Sequence, residues 1–155
     1  NLYPSQRLRF LSAVADVLAA DDAFLVGVDL VKDVARLEAA YNDSAGVTGA
    51  FNLNILKRAN RELGADFDLS LWRHRAIYNE EAHRIEMHLI SGQPQTVHLG
   101  EREFYFEQGE KIITEFSYKH TVEGFSALAA SAGFQLARVW TDPEKLFAVF
   151  HFTTL

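Results

Sequence analysis

The segment Ile112-Ile113-Thr114-Glu115-Phe116-Ser117-Tyr118 sets a carboxylate and a hydroxyl two residues apart. In an extended strand successive side chains alternate, so Ile113, Glu115 and Ser117 are expected on one face and Ile112, Thr114, Phe116 and Tyr118 on the other. A carboxylate beside a hydroxyl is a short polar ladder able to grip a ring N–H or an ammonium. By the same alternation Ile85, Met87 and Leu89 share a face of Arg84–Leu89. If those two faces meet, a thioether and apolar walls surround the carboxylate. Plainer readings stay open: Glu115 as a solvated sheet residue, Met87 as a gap filler in a core. Tyr41 ends a helical pattern beside Asn42-Asp43, where its hydroxyl could reach a cleft. Phe51, among Val47, Ile55 and Leu56, reads first as core packing, and Asn54 and Asn60 face either a pocket or water.

Other chemistries find less support. The nine glycines are dispersed, and neither G-x-G-x-x-G nor G-x-x-x-x-G-K-S/T occurs, so the nucleotide grip of a complete Rossmann or P-loop domain is not in this chain. Six histidines are scattered: His83 and His88 lie five apart, His74 across a hairpin, and no His-Glu-x-x-His helix appears, so no metal is expected. No serine sits in a G-x-S-x-G elbow. Cysteine is absent, which excludes disulfides, thiolate metal sites and thiol nucleophiles. A net charge of −6 with scattered basic residues disfavours nucleic acid. No apolar run approaches the roughly 20 residues that span a bilayer, so no membrane role is expected and a cytoplasmic location fits.

These residues must be carried by ordinary globular elements. The 155 residues are 48% hydrophobic and 23% charged, with three prolines and twelve Phe against one Met, enough for a core with large rings in its layers. Apolar spacing predicts a helix from Pro4-Ser5 to the polar Asp21-Asp22. The near-continuous run Phe24–Val31 suits a central parallel strand covered on both faces, with Asp29 near the carboxyl edge where open α/β sheets bind ligands. Asp33 is expected to cap a second helix to about Ala40, and Val47–Leu63 a third closed by Gly64. From Trp72 the period shortens: Arg73–Tyr78, Arg84–Ile90, Gln95–Leu99, Arg102–Phe106 and Lys111–Tyr118 read as an antiparallel meander. Thr121 opens a fourth helix, and Phe134–Thr141 and Leu146–Phe152 are two last strands.

Several strings also carry a resemblance. Phe24-Leu25-Val26-Gly27-Val28-Asp29-Leu30-Val31-Lys32-Asp33, Leu37-Glu38-Ala39-Ala40-Tyr41-Asn42-Asp43, Gly46-Val47-Thr48-Gly49-Ala50-Phe51-Asn52-Leu53-Asn54, Asn60-Arg61-Glu62-Leu63, Trp72-Arg73-His74-Arg75-Ala76, Glu86-Met87-His88-Leu89 and Thr114-Glu115-Phe116-Ser117-Tyr118-Lys119 resemble the histidine-specific SAM-dependent methyltransferase family, which includes the enzyme for Nα-methylation of histidine in ergothioneine biosynthesis. The resemblance covers essentially the whole chain. It implies an α/β fold: a partial Rossmann-like methyltransferase sheet with an inserted antiparallel β-rich substrate-binding subdomain. The corresponding division is 1–64 and 121–155 for the methyltransferase core and 65–120 for the insertion. The resemblance further implies that a Gly-Ser-x-Ile-Gly-Asn loop ends at Asn1 and that the main SAM-binding loop lies upstream. Such a piece alone is expected to be inactive and to self-associate through its exposed sheet.

Residue by residue, the resemblance makes Asn1 the holder of the substrate's amino-acid end and Tyr41 the tyrosine facing the amine. These two are the catalytic candidates. Phe51 and Met87 become pocket walls, and Glu115 with Ser117 the pair that binds the imidazole. SAM is the implied co-substrate and a small amino acid the partner. The alternative is a non-catalytic α+β ligand-binding or interaction module of the same ancestry.

Overall fold

The computed structural model describes residues 2–154. In chain order the elements are α1 (Pro4–Ala15), β1 (Ala23–Asp29), α2 (Val34–Tyr41), α3 (Val47–Leu63), a short 3-10 turn (Leu69–Leu71), β2 (Trp72–Asn79), β3 (Arg84–Ser91), β4 (Gln95–Leu99), β5 (Arg102–Phe106), β6 (Lys111–Tyr118), α4 (Val122–Ala130), β7 (Phe134–Thr141) and β8 (Phe147–Thr154). They divide into two compact units, Asn1–Lys32 with Tyr118–Leu155, and Asp33–Ser117. None of the described helices is long and apolar enough to cross a membrane.

The first unit is built on a sheet of order β1-β8-β7, antiparallel throughout. Phe24, Val26 and Val28 alternate with Leu25 and Gly27, and the first set packs with Phe150, Phe152, Phe134 and the inner faces of α1 and α4 (Leu11, Phe125, Ala129). Leu25, on the opposite face, is 63% exposed. The expected central parallel strand covered on both faces is therefore corrected. An apolar residue at nearly every position hid a period-2 pattern, and β1 pairs antiparallel with β8 over its whole length. A single parallel bridge, Leu30 to His120, marks where the chain leaves and re-enters this unit. α1 also stops earlier than expected, at Ala15. Val17 and Leu18 continue only in tighter i→i−3 bonds, and the Asp22 side chain closes the following turn on the Ala19 N–H.

The second unit holds a sheet of order β2-β3-β6 and a separate β4-β5 hairpin. The strand limits follow the turn signals, but the sequential meander is corrected: β6 returns beside β3, and β4-β5 is an excursion between them. Its two ends are stitched at Ser91, whose N–H donates to the Glu110 carbonyl (2.9 Å) and whose carbonyl accepts from Gly109 N–H (2.8 Å). Gly109 makes that closure at φ +84, a left-handed conformation that costs glycine little. Leu56, Trp72 and Leu89 pack together under Phe67, Phe106 and Ile112, with Trp72 edge-on to both Phe rings.

Candidate functional site

Helix α2 buries Leu37 against Ala76, Ile85 and Met87, and the rings of Tyr41 and Tyr78 pack on this cluster. Asp33 starts the helix by accepting the Arg36 N–H (2.9 Å). It ends at Tyr41 because Asn42 turns out of helical conformation and pairs with β2 instead. The Asn42 amide donates to the Ala76 carbonyl (2.9 Å) and accepts the Ala76 N–H (2.8 Å), while Glu38 accepts the Tyr78 N–H (2.9 Å). Tyr41 is thus held at a clamped helix end, and its hydroxyl shares a 2.8 Å hydrogen bond with Ser117 Oγ. Asp43 then starts α3 by accepting the Val47 and Thr48 N–H groups (2.8 and 2.9 Å). Bonds from the Thr48 side chain and from these amides lower its pKa to about 2.

Strand β6 departs from strict alternation here. Ile112 packs in the Leu56–Trp72–Leu89 cluster and Thr114 Oγ1 reaches Asn52 of α3 at 2.6 Å, so both face the helices. Ser117 also faces the helices, because it meets Tyr41, yet it lies an odd number of residues from Thr114. The alternation therefore breaks between Thr114 and Ser117, correcting the expectation that these two point to opposite faces. Phe116 has its ring under the Arg84 guanidinium at 3.7 Å. Glu115, half-buried, sits within that break. Strand irregularities of this kind re-aim side chains next to functional sites.

Tyr41, Ser117 and Met87, which is 3% exposed, are brought together, with Glu115 two residues from Ser117. Phe51 is not brought to them. It is 63% exposed, which corrects the core-packing reading: Asn52 and Leu56 take the inner face of α3. Asn1 lies outside the described residues. Asn54 is exposed, whereas Asn60 uses both ends of its amide on the Phe67 backbone (2.8 Å each).

The residue missed by sequence reasoning is Asn52, with no measurable exposure. Its Nδ2 donates to His74 Nδ1 (2.9 Å) and to the His88 carbonyl (3.2 Å), and its Oδ1 accepts from Thr114. His74 Nε2 in turn donates to the Tyr41 carbonyl at 2.8 Å. The available signal was positional: Asn52 precedes Leu56 by one helical turn on the buried stripe.

The opposite side of β3 carries a buried ionic network. Glu86 Oε1 accepts from Arg84 (Nη2 2.7 Å, Nε 2.9 Å) and Asn79 (3.1 Å), and Oε2 lies 3.1 Å from His88 Nε2. Burial alone would raise the Glu86 pKa, but the bonds from Arg84, His88 and Asn79 outweigh it and the net shift is downward. Burial pushes His88 down, with Lys111 and Arg75 adding to it against the pull of Glu86. In the first unit Asp29 is taken up by Lys119 (2.8 Å) and Lys32 (2.5 Å). Among the described residues no group of three or more His, Cys, Asp or Glu gathers to hold a metal.

The described residues do not by themselves fit SAM. No glycine-rich loop follows a strand, and Asp29, the carboxylate at the carboxyl end of β1, is already neutralised by two lysines.

A family model described as histidine-specific methyltransferase, SAM-dependent, matches residues 1–154. The histidine N-alpha-methyltransferase of Mycolicibacterium smegmatis is 47% identical over 151 residues, covering 96% of this chain and 47% of that protein. Ergothioneine biosynthesis protein 1 of Neurospora crassa is 33% identical over 144 residues (91% of this chain, 16% of that one). The L-tryptophan methyltransferase trpM of Psilocybe serbica is 28% identical, covering 83% and 36%. The chain spans about half the length of the first two curated relatives it matches. A crystal structure of a SAM-dependent methyltransferase from Clostridium acetobutylicum overlaps 95% of this chain and 50% of its own at 10% identity, with a TM-score of 0.44.

Proposed function

Because this chain belongs to the histidine-specific, SAM-dependent methyltransferase family, we propose that it supplies the amino-acid-binding side of an enzyme that transfers a methyl group from SAM to the α-amine of histidine. The observation that carries this reading is the Tyr41–Ser117 hydroxyl pair over the Met87 cluster, with Glu115 in the adjoining strand break. Glu115 and Ser117 bind the imidazole, a ring that offers one N–H donor and one acceptor to a carboxylate–hydroxyl pair. Met87 and the apolar residues around it exclude water on one side of that ring. Tyr41 and Asn1 hold the amino-acid end, and Phe51 closes a wall if a further element covers its exposed face. The work asked of these groups is orientation and desolvation, since methyl transfer to nitrogen needs a neutral amine held in line. A substrate without the ring would forgo its bonds to Glu115 and Ser117, so this site also sets specificity. A cytoplasmic location accompanies the reading.

The test is calorimetry of the complete gene product with histidine and SAM. We expect histidine binding that depends on SAM, and a loss of roughly tenfold or more in histidine affinity for Glu115→Ala, the size of one charge-assisted hydrogen bond. Unchanged affinity in Glu115→Ala overturns the assignment of that residue, and no histidine binding by the wild type overturns the function.

A further inference from the structure

We propose that Asn52 is a positioning residue for this site, holding the helix end that carries Tyr41 and the strand segment that carries Glu115 and Ser117 in one fixed relation. The inference rests on the substrate-binding reading above.

The connectivity is closed and directional. Asn52 Nδ2 can only donate, so His74 Nδ1 must accept; the Tyr41 carbonyl can only accept, so His74 Nε2 must carry the proton. The Nε2–H tautomer is the one neutral form that makes both bonds. The second Nδ2 proton goes to the His88 carbonyl of β3, which fixes which end of the amide is oxygen. That oxygen accepts from Thr114 Oγ1 at 2.6 Å, and the Met87 carbonyl lies 3.1 Å from the same hydroxyl. One fully buried side chain therefore joins α3 to β2, β3 and β6. Through His74 it reaches the backbone of Tyr41, and through Thr114 it anchors β6 on the residue before Glu115.

The geometry of those two ends matters because Tyr41 and Ser117 meet at 2.8 Å although they lie 76 residues apart in the chain. A neutral hydroxyl pair has little energy of its own with which to hold two elements in register. The bonds of Asn52 go to His74, the His88 carbonyl and Thr114, so its effect on substrate passes through placement. Thr114, at the start of the alternation break, is where this placement can be loosened with least damage to the core.

The experiment measures steady-state kinetics of the complete gene product with histidine and SAM varied separately, for wild type, Thr114→Val, Thr114→Ser and Asn52→Leu. Thr114→Val keeps the shape and removes the donor. We expect its KM for histidine to rise roughly tenfold, the factor that one buried hydrogen bond converts to, with the KM for SAM unmoved. Thr114→Ser, which keeps the hydroxyl, should stay within about threefold of wild type on the same scale. Asn52→Leu should exceed Thr114→Val wherever it folds. Imidazole nitrogen shifts should report His74 as the Nε2–H tautomer. The proposal is overturned if folded Thr114→Val leaves the histidine KM unchanged, if both substrates' KM values rise together, if serine rescues nothing, or if His74 is the Nδ1–H tautomer. A wild type that never turns over histidine overturns the parent reading and this one with it. Normal wild-type turnover beside unmoved Thr114→Val kinetics sinks this inference alone.

Discussion

Removing the Glu86 carboxylate should destabilise the second unit more than any change of similar size on its surface. Glu86→Ala removes a charge-assisted partner of Arg84, 20% exposed, and of His88, 3% exposed, in one step. Breaking a buried ion pair costs about 3–5 kcal/mol, because the remaining charge stays desolvated. Arg84 keeps its place over the Phe116 ring at 3.7 Å and part of its hydration, so the low end, about 3 kcal/mol, applies. Glu86→Gln keeps the shape and an acceptor for Arg84 but turns charge-assisted bonds into neutral ones, a loss of about 1–2 kcal/mol. The assay is amide hydrogen exchange of β3, whose slowest amides report the opening of this unit. Both titrating groups make the unit acid-sensitive. The folded His88 pKa is lowered, so below about 6.5 the unfolded chain binds a proton that the folded one does not, and stability falls. The lowered Glu86 pKa adds a second loss, starting as pH drops through the ordinary glutamate value near ~4.3 and complete below the folded value. Glu86→Ala should abolish the second step and deepen the first, since it removes the partner that favours protonated His88. An alanine variant within about 0.5 kcal/mol of wild type, or a glutamine variant as costly as alanine, would refute the reasoning.

Tyr41→Phe, Ser117→Ala and the double variant form a cycle whose coupling should be about 1 kcal/mol in thermal stability, the net value of a half-buried hydroxyl pair; additive losses would show that the two groups do not interact. Asp43 should titrate at about 2 in a carbon-detected NMR experiment. Its capping of α3 is complete above the ordinary aspartate value of ~3.9 and fades as pH falls from there through about 2, whereas an ordinary midpoint would mean that the cap is not formed.

Local signals in the chain located most of the elements. Gly64 stops α3 where the apolar spacing ends, and the limits of β4, β5, β6 and β7 fall where the turn residues put them. Pairing order was not legible, because neighbours such as β3 and β6 are set by the closure at Ser91 and Gly109, which leaves only a serine and a glycine in the sequence. The partner of β1 was hidden by a run apolar at nearly every position. At the candidate site, residue types pointed to Tyr41, Met87, Glu115 and Ser117, but not to their relation. Strict alternation puts Thr114 and Ser117 on opposite faces, and a strand irregularity has no composition cue. Asn52 was overlooked in favour of Asn54 and Asn60 because one polar residue on an apolar stripe looks like an interruption until its partners are seen.

Asn42 gives β2 what a fourth strand would have given it: one acceptor for the Ala76 N–H and one donor for the Ala76 carbonyl, from a single side chain. In assembly terms it is a chain terminator. A sheet grows by edge-on addition only where an unpaired backbone offers a template, and here the template position is occupied by a residue that cannot itself be extended. With Glu38 taking the Tyr78 N–H two residues along, the outer rim of β2 is closed to strand addition by an incoming chain at these positions. The contacts that set the angle of the Tyr41 helix end therefore also oppose edge-to-edge association, so a lesion at Asn42 would show as aggregation.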